Sequence, residues 1–159
     1  MGDNGKVYLT RERLVELEKE LRELKINGRA DIAQKIAEAR GHGDLSENAE
    51  YEAAKEAQEH LEMRISKVEE MLSRTQIIDS SELPNDKVYI LSVVKLEDQK
   101  TKEVVEYRLV SAEEADFERN KIAVSSPLGR SLMGKKLGET AELKGPAGSI
   151  RYKILDIKR

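Results

Sequence analysis

Leu14, Leu17, Leu21 and Leu24 return every three or four residues, and Ile32, Ile36 and Ala39 continue the series. Such spacing draws one apolar stripe along a helix. A second stripe, Ala54, Ala57, Leu61, Ile65, Val68 and Leu72, follows the Gly41–Gly43 punctuation. Two stripes joined by a short Gly-containing turn predict an antiparallel helical hairpin, the frame that most limits the fold of this chain. Thr10 is a suitable N-cap for the first helix, and Thr10 to Arg40 spans roughly 45 Å if mostly helical. Between Leu24 and Ile32 the stripe slips by one place with Gly28 at its centre, which predicts a bend, a stutter or two consecutive helices.

After Ile77-Ile78 the pattern changes. Asp79 to Asp86, "DSSELPND", has the polar, Pro-containing composition of a linker. Alternation follows in Val88, Ile90, Ser92, Val94 and Leu96, then in Val105, Tyr107 and Leu109, then in Ile150, Tyr152 and Ile154. "LEDQKTKEV" fits a hairpin loop and "KGPAGS" a turn. "SPLGRSLMG" predicts a short helix with Pro near its first position. The fold class expected is α+β: a helical coiled-coil hairpin over 1–78 with an acidic tip, a linker over 79–86, and a small, mostly antiparallel sheet with one short helix over 87–159. Charge divides the same way: residues 1–79 hold 13 basic and 18 acidic side chains, and residues 80–159 hold 15 and 13. With 37% charged and 4% aromatic residues, the composition suits much surface over a thin core.

The totals exclude several functions. The absence of Cys removes disulfides, thiolate metal sites and thiol nucleophiles, and is compatible with a cytoplasmic setting. No apolar run approaches membrane-spanning length, and the first ten residues lack the basic and apolar regions of a signal peptide, so no membrane partner is expected. A net charge of −3 argues against binding to free duplex DNA. "GRSLMGKK", Gly129 to Lys136, falls one residue short of a Walker A loop. Lys136 stands where a magnesium-binding hydroxyl belongs, and no βαβ context precedes it, so the match reads as chance. His42 and His60 are the only histidines, and no serine sits in a nucleophile elbow; His60, between stripe positions, reads as solvated.

What remains is "GHGDLSENAEYEAAKE", Gly41 to Glu56, which places Asp44, Glu47 and Glu50 at the turn of the hairpin. Asp44 with Glu47 three residues on is a capping-box arrangement, and early acids favour the helix dipole. The same carboxylates are hard-oxygen ligands suited to Mg²⁺, an ion that prefers six ligands and fills the remainder from water or phosphate. Spacing alone leaves both readings open. A site with half its ligands makes sense where another molecule supplies the rest.

"ARGHGDLSENAEYEAAKEAQ" closely resembles the tip of the bacterial GreA/GreB transcript cleavage factors. "YLTRERLVELEKELRELK" resembles the first helix of that family, and "EADFERNKIAVSSPLGRSLMGKKLGE" its C-terminal signature, so the likeness covers nearly the whole chain. The resemblance implies an N-terminal antiparallel coiled coil and a C-terminal domain similar to FKBP. It implies a partner, RNA polymerase, with the C-terminal domain on the rim of the secondary channel and the coiled coil inside. Asp44 and Glu47 match acids that help hold the polymerase's second, weakly bound Mg²⁺ for two-metal hydrolysis of backtracked RNA, so the chain assists a nuclease and is no enzyme alone. Arg40 and Lys55 match a basic patch facing the nascent RNA 3′ end, against the alternative of ordinary solvated charge. Tyr51 supports the tip by packing or a hydroxyl contact, or serves structure alone. Ser126, Pro127 and Gly129 match a polymerase-facing segment, against the alternative of a helix start. One departure is Asn27-Gly28-Arg29-Ala30, where relatives often carry Pro. The rival readings are a channel-binding inhibitor of the same architecture, disfavoured by the intact Asp44–Glu47 run, and a prolyl isomerase, which needs an aromatic-lined pocket.

Overall fold

The computed structural model describes residues 5–42 and 48–159. By their contacts these form two units, residues 12–74 and residues 5–11 together with 75–159.

In the helical unit, α1 (Arg11–Glu23) starts directly after Thr10 and runs without interruption through a π-helical turn, Leu24–Gly28, into α2 (Arg29–Arg40). The stutter expected at Gly28 is this turn: the Arg29 N–H donates to the Leu24 carbonyl, five residues back. A π turn takes more than four residues, so steps of four from Leu24 to Gly28 to Ile32 stay on one face instead of drifting off it. Gly28 keeps ordinary helical torsions, φ −60° and ψ −48°, so conformational freedom is not the reason for a glycine there. Proximity is: a Cβ would lie 3.0 Å from Cδ1 of Leu61 on α3 (Ala49–Ser73). Because the obstacle is the end of a flexible side chain, Gly28→Ala is expected to be close to neutral. The gain in helix propensity, about 1 kcal/mol, offsets the repacking of Leu61, and a melting temperature within a few degrees of the parent checks this.

The helices pair with opposite chain sense. Lys25 bonds Glu69 at 2.6 Å and Arg29 holds Glu62 through two bonds of 2.8 and 2.9 Å, while Ala39 lies beside Ala54 nearer the turn. Leu17, Ala39, Ala54, Ile65 and Val68 of the two stripes are buried and their other members are half-buried, so the stripes read from the sequence are realised, except that at the end of α3 Met71 rather than Leu72 is the fully buried residue. The exposed ion pairs fix register more than they add stability.

The second unit begins with the two-stranded parallel pairing of β1 (Val7–Leu9) and β2 (Thr75–Ile77). Val7 and Leu9 are fully buried, and the Tyr8 N–H donates to the buried Ser111 hydroxyl at 3.0 Å. Residues 5–11 and 75–78, which the sequence pattern puts with the hairpin, therefore group with the sheets. The expected linker holds a 3₁₀ turn, Ser80–Glu82, over which the Asp79 carboxylate accepts from the Ser81 N–H and hydroxyl; these bonds hold its acid below the usual range.

The larger sheet contains β3 (Val93–Asp98), β4 (Val104–Val110), β5 (Lys121–Ala123), β6 (Thr140–Gly145) and β7 (Gly148–Lys158), in the order β5-β4-β3-β7-β6. Three pairings are antiparallel; the β4–β5 edge is parallel. The short helix α4 (Pro127–Leu132) lies where expected and buries Leu132 in a core with Val94, Leu96, Leu109, Ile122 and Ile154. Two departures from the expected alternation have local causes. Val88 to Ser92 is not a strand, because Leu91 takes φ +72° and closes a turn in which the Tyr89 N–H donates to the Ser92 hydroxyl. On β7, Ile154 and Ile157 both face the core although three residues apart. A bulge there sets Lys95 opposite Asp156 but Leu96 opposite Ile154, which resets the alternation at Leu155.

Candidate functional site

At the hairpin's turn α2 ends on Gly41, whose N–H donates to the carbonyls of Ala37 and Glu38 at 3.3 and 3.1 Å, and the His42 N–H reaches the Ala39 carbonyl at 3.1 Å. The next helix, α3, begins after Asn48, whose extended backbone (φ −88°, ψ 99°) and side-chain oxygen form its N-cap. That oxygen accepts from the Tyr51 N–H at 3.1 Å. The amide nitrogen of the same side chain donates to the Ala39 carbonyl on the facing helix. One asparagine thus satisfies an orphan N–H at the start of α3 and adds a second donor to the terminal carbonyl of α2 that already accepts from the His42 N–H.

Two further contacts cross the same gap. The Arg40 guanidinium carbon lies 5.9 Å from the centre of the Tyr51 ring, within cation–π range. His42 Nδ1 and a Glu50 oxygen are 2.7 Å apart. Glu50 and Glu52 in the first turn of α3 and Arg40 in the last turn of α2 each oppose the local end of the helix dipole. Lys55, one turn beyond Tyr51, is exposed and bonds Gln58 at 3.0 Å.

The acids read from the sequence, Asp44 and Glu47, lie outside the described residues, in the chain between these anchored ends. Their donor chemistry, two hard carboxylates, fits Mg²⁺ in kind and falls short of it in number. Among the described residues no group of three or more His, Asp or Glu side chains is placed to hold a metal.

In the sheet unit, Ser126 is the N-cap of α4: its hydroxyl accepts from the Gly129 N–H at 3.0 Å and donates to the Ala123 carbonyl at 2.7 Å. Pro127 occupies the first turn, where a missing N–H costs nothing. Gly129 is buried with no room for a Cβ, which would stand 2.0 Å from the Ala123 carbonyl oxygen. Ser126, Pro127 and Leu128 border a cleft of about 910 Å³ shared with Tyr107, Phe117 and Ile150. Phe117 is 74% exposed beside it, its ring 6.3 Å from that of Tyr107.

Compared with known families, residues 7–77 match the model of the N-terminal part of a transcription elongation factor, and residues 83–159 match the C-terminal part of the GreA/GreB transcription elongation factors. The chain belongs to the GreA/GreB family. Transcription elongation factor GreA of Chloroherpeton thalassium is 53% identical over 155 residues, covering 98% of each chain. The GreA of Amoebophilus asiaticus is 50% identical, covering 94% of this chain and 96% of its own. Among solved structures, GreA factor homolog 1 of Thermus thermophilus is 30% identical, covers 97% of this chain and 99% of its own, and superposes with a TM-score of 0.42.

In this GreA/GreB chain the structure brings the Arg40 guanidinium over the Tyr51 ring, across the turn of the hairpin. Lys55 is exposed, one helical turn from Tyr51. The N-cap of α3 is Asn48, and the capping reading of Asp44 with Glu47 lies outside the described residues. Asn48 and the His42–Glu50 pair are not evident in the sequence pattern. Asn is a good N-cap residue, but three residues on stands Tyr51 rather than Glu or Gln, so the capping-box signature pointed four residues upstream. The Walker-like glycine is explained without phosphate: Gly129 is a packing residue inside a helix. No helix among the described residues is long and apolar enough to cross a membrane.

Proposed function

We propose that this GreA/GreB chain binds RNA polymerase through its sheet unit and delivers the hairpin tip into the secondary channel. There Asp44 and Glu47 would complete the ligand shell of the polymerase's weakly held Mg²⁺. The ion, when bound, supplies a Lewis acid that lowers the pKa of water and neutralises charge on the reacting phosphate. The chain's own residues place two carboxylates, orient Arg40 and Lys55 toward the RNA 3′ end, and anchor the complex at Ser126 and Pro127. Gly129 serves that anchor by letting α4 pack. The FKBP-like character read for the sheet unit belongs to this proposal as scaffold, not as isomerase. The carrying observation is the position of the acidic run between two helix ends that Asn48 ties together, in a chain whose relatives are elongation factors.

The chain offers only part of a magnesium shell, so the purified protein is expected to leave RNA intact at millimolar Mg²⁺ and to stimulate cleavage only when backtracked polymerase is present. Stimulated release of short 3′ RNA fragments from a halted complex is the measurement. RNA cleavage by the protein alone, lost on Asp44→Asn, would overturn the proposal.

A further inference from the structure

We infer that Asn48 is a positioning residue: by bonding both helices at the mouth of the turn, it fixes the two ends from which Asp44 and Glu47 are presented. The inference rests on the metal-lending reading above and adds to it a residue outside the metal shell. Its basis is the double use of one partly buried side chain. The oxygen accepts from Tyr51 of α3 and the nitrogen donates to Ala39 of α2. An ordinary N-cap needs only the first bond. The second terminates on the carbonyl of Ala39, a residue 2% exposed, so the clasp is set in the close-packed end of the hairpin and not on a loose surface arm. The His42–Glu50 bond and the Arg40–Tyr51 stack cross the same gap, but the former is 56% and 69% exposed and water competes with it. Five residues, 43 to 47, separate the His42 and Asn48 anchors. A ligand pair that must meet a partner's ion gains from ends held at fixed separation, because misplacement by about 1 Å costs rate steeply.

Serine and aspartate separate the two jobs. Both cap a helix about as well as asparagine, and neither offers an amide N–H to the Ala39 carbonyl. Asn48→Ser removes the clasp without adding charge; Asn48→Asp removes it and opposes a carboxylate to that carbonyl. Cleavage by the intact chain on a backtracked complex, measured against Mg²⁺ concentration, is expected to need about tenfold more Mg²⁺ for half-maximal rate in either variant, as for loss of a group that orients ligands. Polymerase affinity and melting temperature should stay near those of the parent. Unchanged Mg²⁺ dependence in both variants would reduce Asn48 to a cap and overturn the inference. Cleavage that falls only in step with melting temperature or polymerase affinity would overturn it too. Asp44→Asn in the same assay separates the two ideas: if it is silent, the metal-lending reading fails; if it abolishes cleavage while both Asn48 variants cleave normally, only the clasp fails.

Discussion

Asp44→Asn is expected to remove most of the polymerase-dependent RNA cleavage while leaving the protein folded and bound. A neutral amide holds Mg²⁺ far more weakly than a carboxylate, and loss of a group that merely orients a ligand already costs roughly 10–100-fold. Replacing a ligand itself should cost at least as much. The capping role of α3 is held by Asn48, so no α3 cap is lost in the variant, and its melting temperature should match the parent. Glu47→Gln should behave alike, and raised Mg²⁺ should partly rescue both, since mass action offsets weaker coordination. Either variant should also compete with the parent for polymerase, because the anchor lies elsewhere. The decisive series is cleavage rate against Mg²⁺ with polymerase binding measured in parallel. Parental rates at every Mg²⁺ concentration would show that the acids only shape the turn.

Gly129→Ala is expected to be the most damaging single methyl in the sheet unit. The added Cβ would sit 2.0 Å from the Ala123 carbonyl oxygen and 3.0 Å from both the Ala123 carbonyl carbon and the Ser126 hydroxyl. That carbonyl cannot step aside cheaply. It accepts from the Ser126 hydroxyl at 2.7 Å and from the Ser126 N–H at 3.0 Å, and Ala123 is paired with Val110 in the parallel edge of the sheet. Relief must come by lifting α4 and drawing Leu132 from the core. The cost should reach or pass the top of the about 1–3 kcal/mol usual for overpacking. Hydrogen exchange at the β4 and β5 amides is the direct readout, and parental protection there would contradict the packing argument. Gly28 makes the contrast: its obstacle is a leucine methyl, which can rotate away, not a backbone oxygen.

The helical stripes were legible because burial repeats there with the period of the helix, while the acids and the basic pair were singled out by family likeness alone. The π turn was visible only as a slip, since a one-place shift fits a bend, a stutter or a break equally until the bond from Arg29 to Leu24 is seen. The β1–β2 pair escaped because three-residue strands separated by more than sixty residues leave no periodic trace. Strand β6 was missed for a related reason: "TAELKG" offers one small and one large apolar residue, and Ala141 is buried by its neighbours rather than by its own hydrophobicity. Asn48's second bond depends on which carbonyl lies opposite, a fact of the assembled hairpin and of no local pattern.

The parallel pairing of β1 with β2 means that the stretch from Glu12 to Arg74 leaves and re-enters the sheet unit through hydrogen-bonded neighbours. In a disordered chain, bringing those strands together would forfeit loop entropy of the order of 4 kcal/mol. A folded hairpin returns its own ends close to one another and largely removes that penalty. Helix formation and the docking of Val7 and Leu9 are thereby linked through chain connectivity, without any side chain having to carry the link. Loosening of the helices would be felt first at the edge where the chain begins.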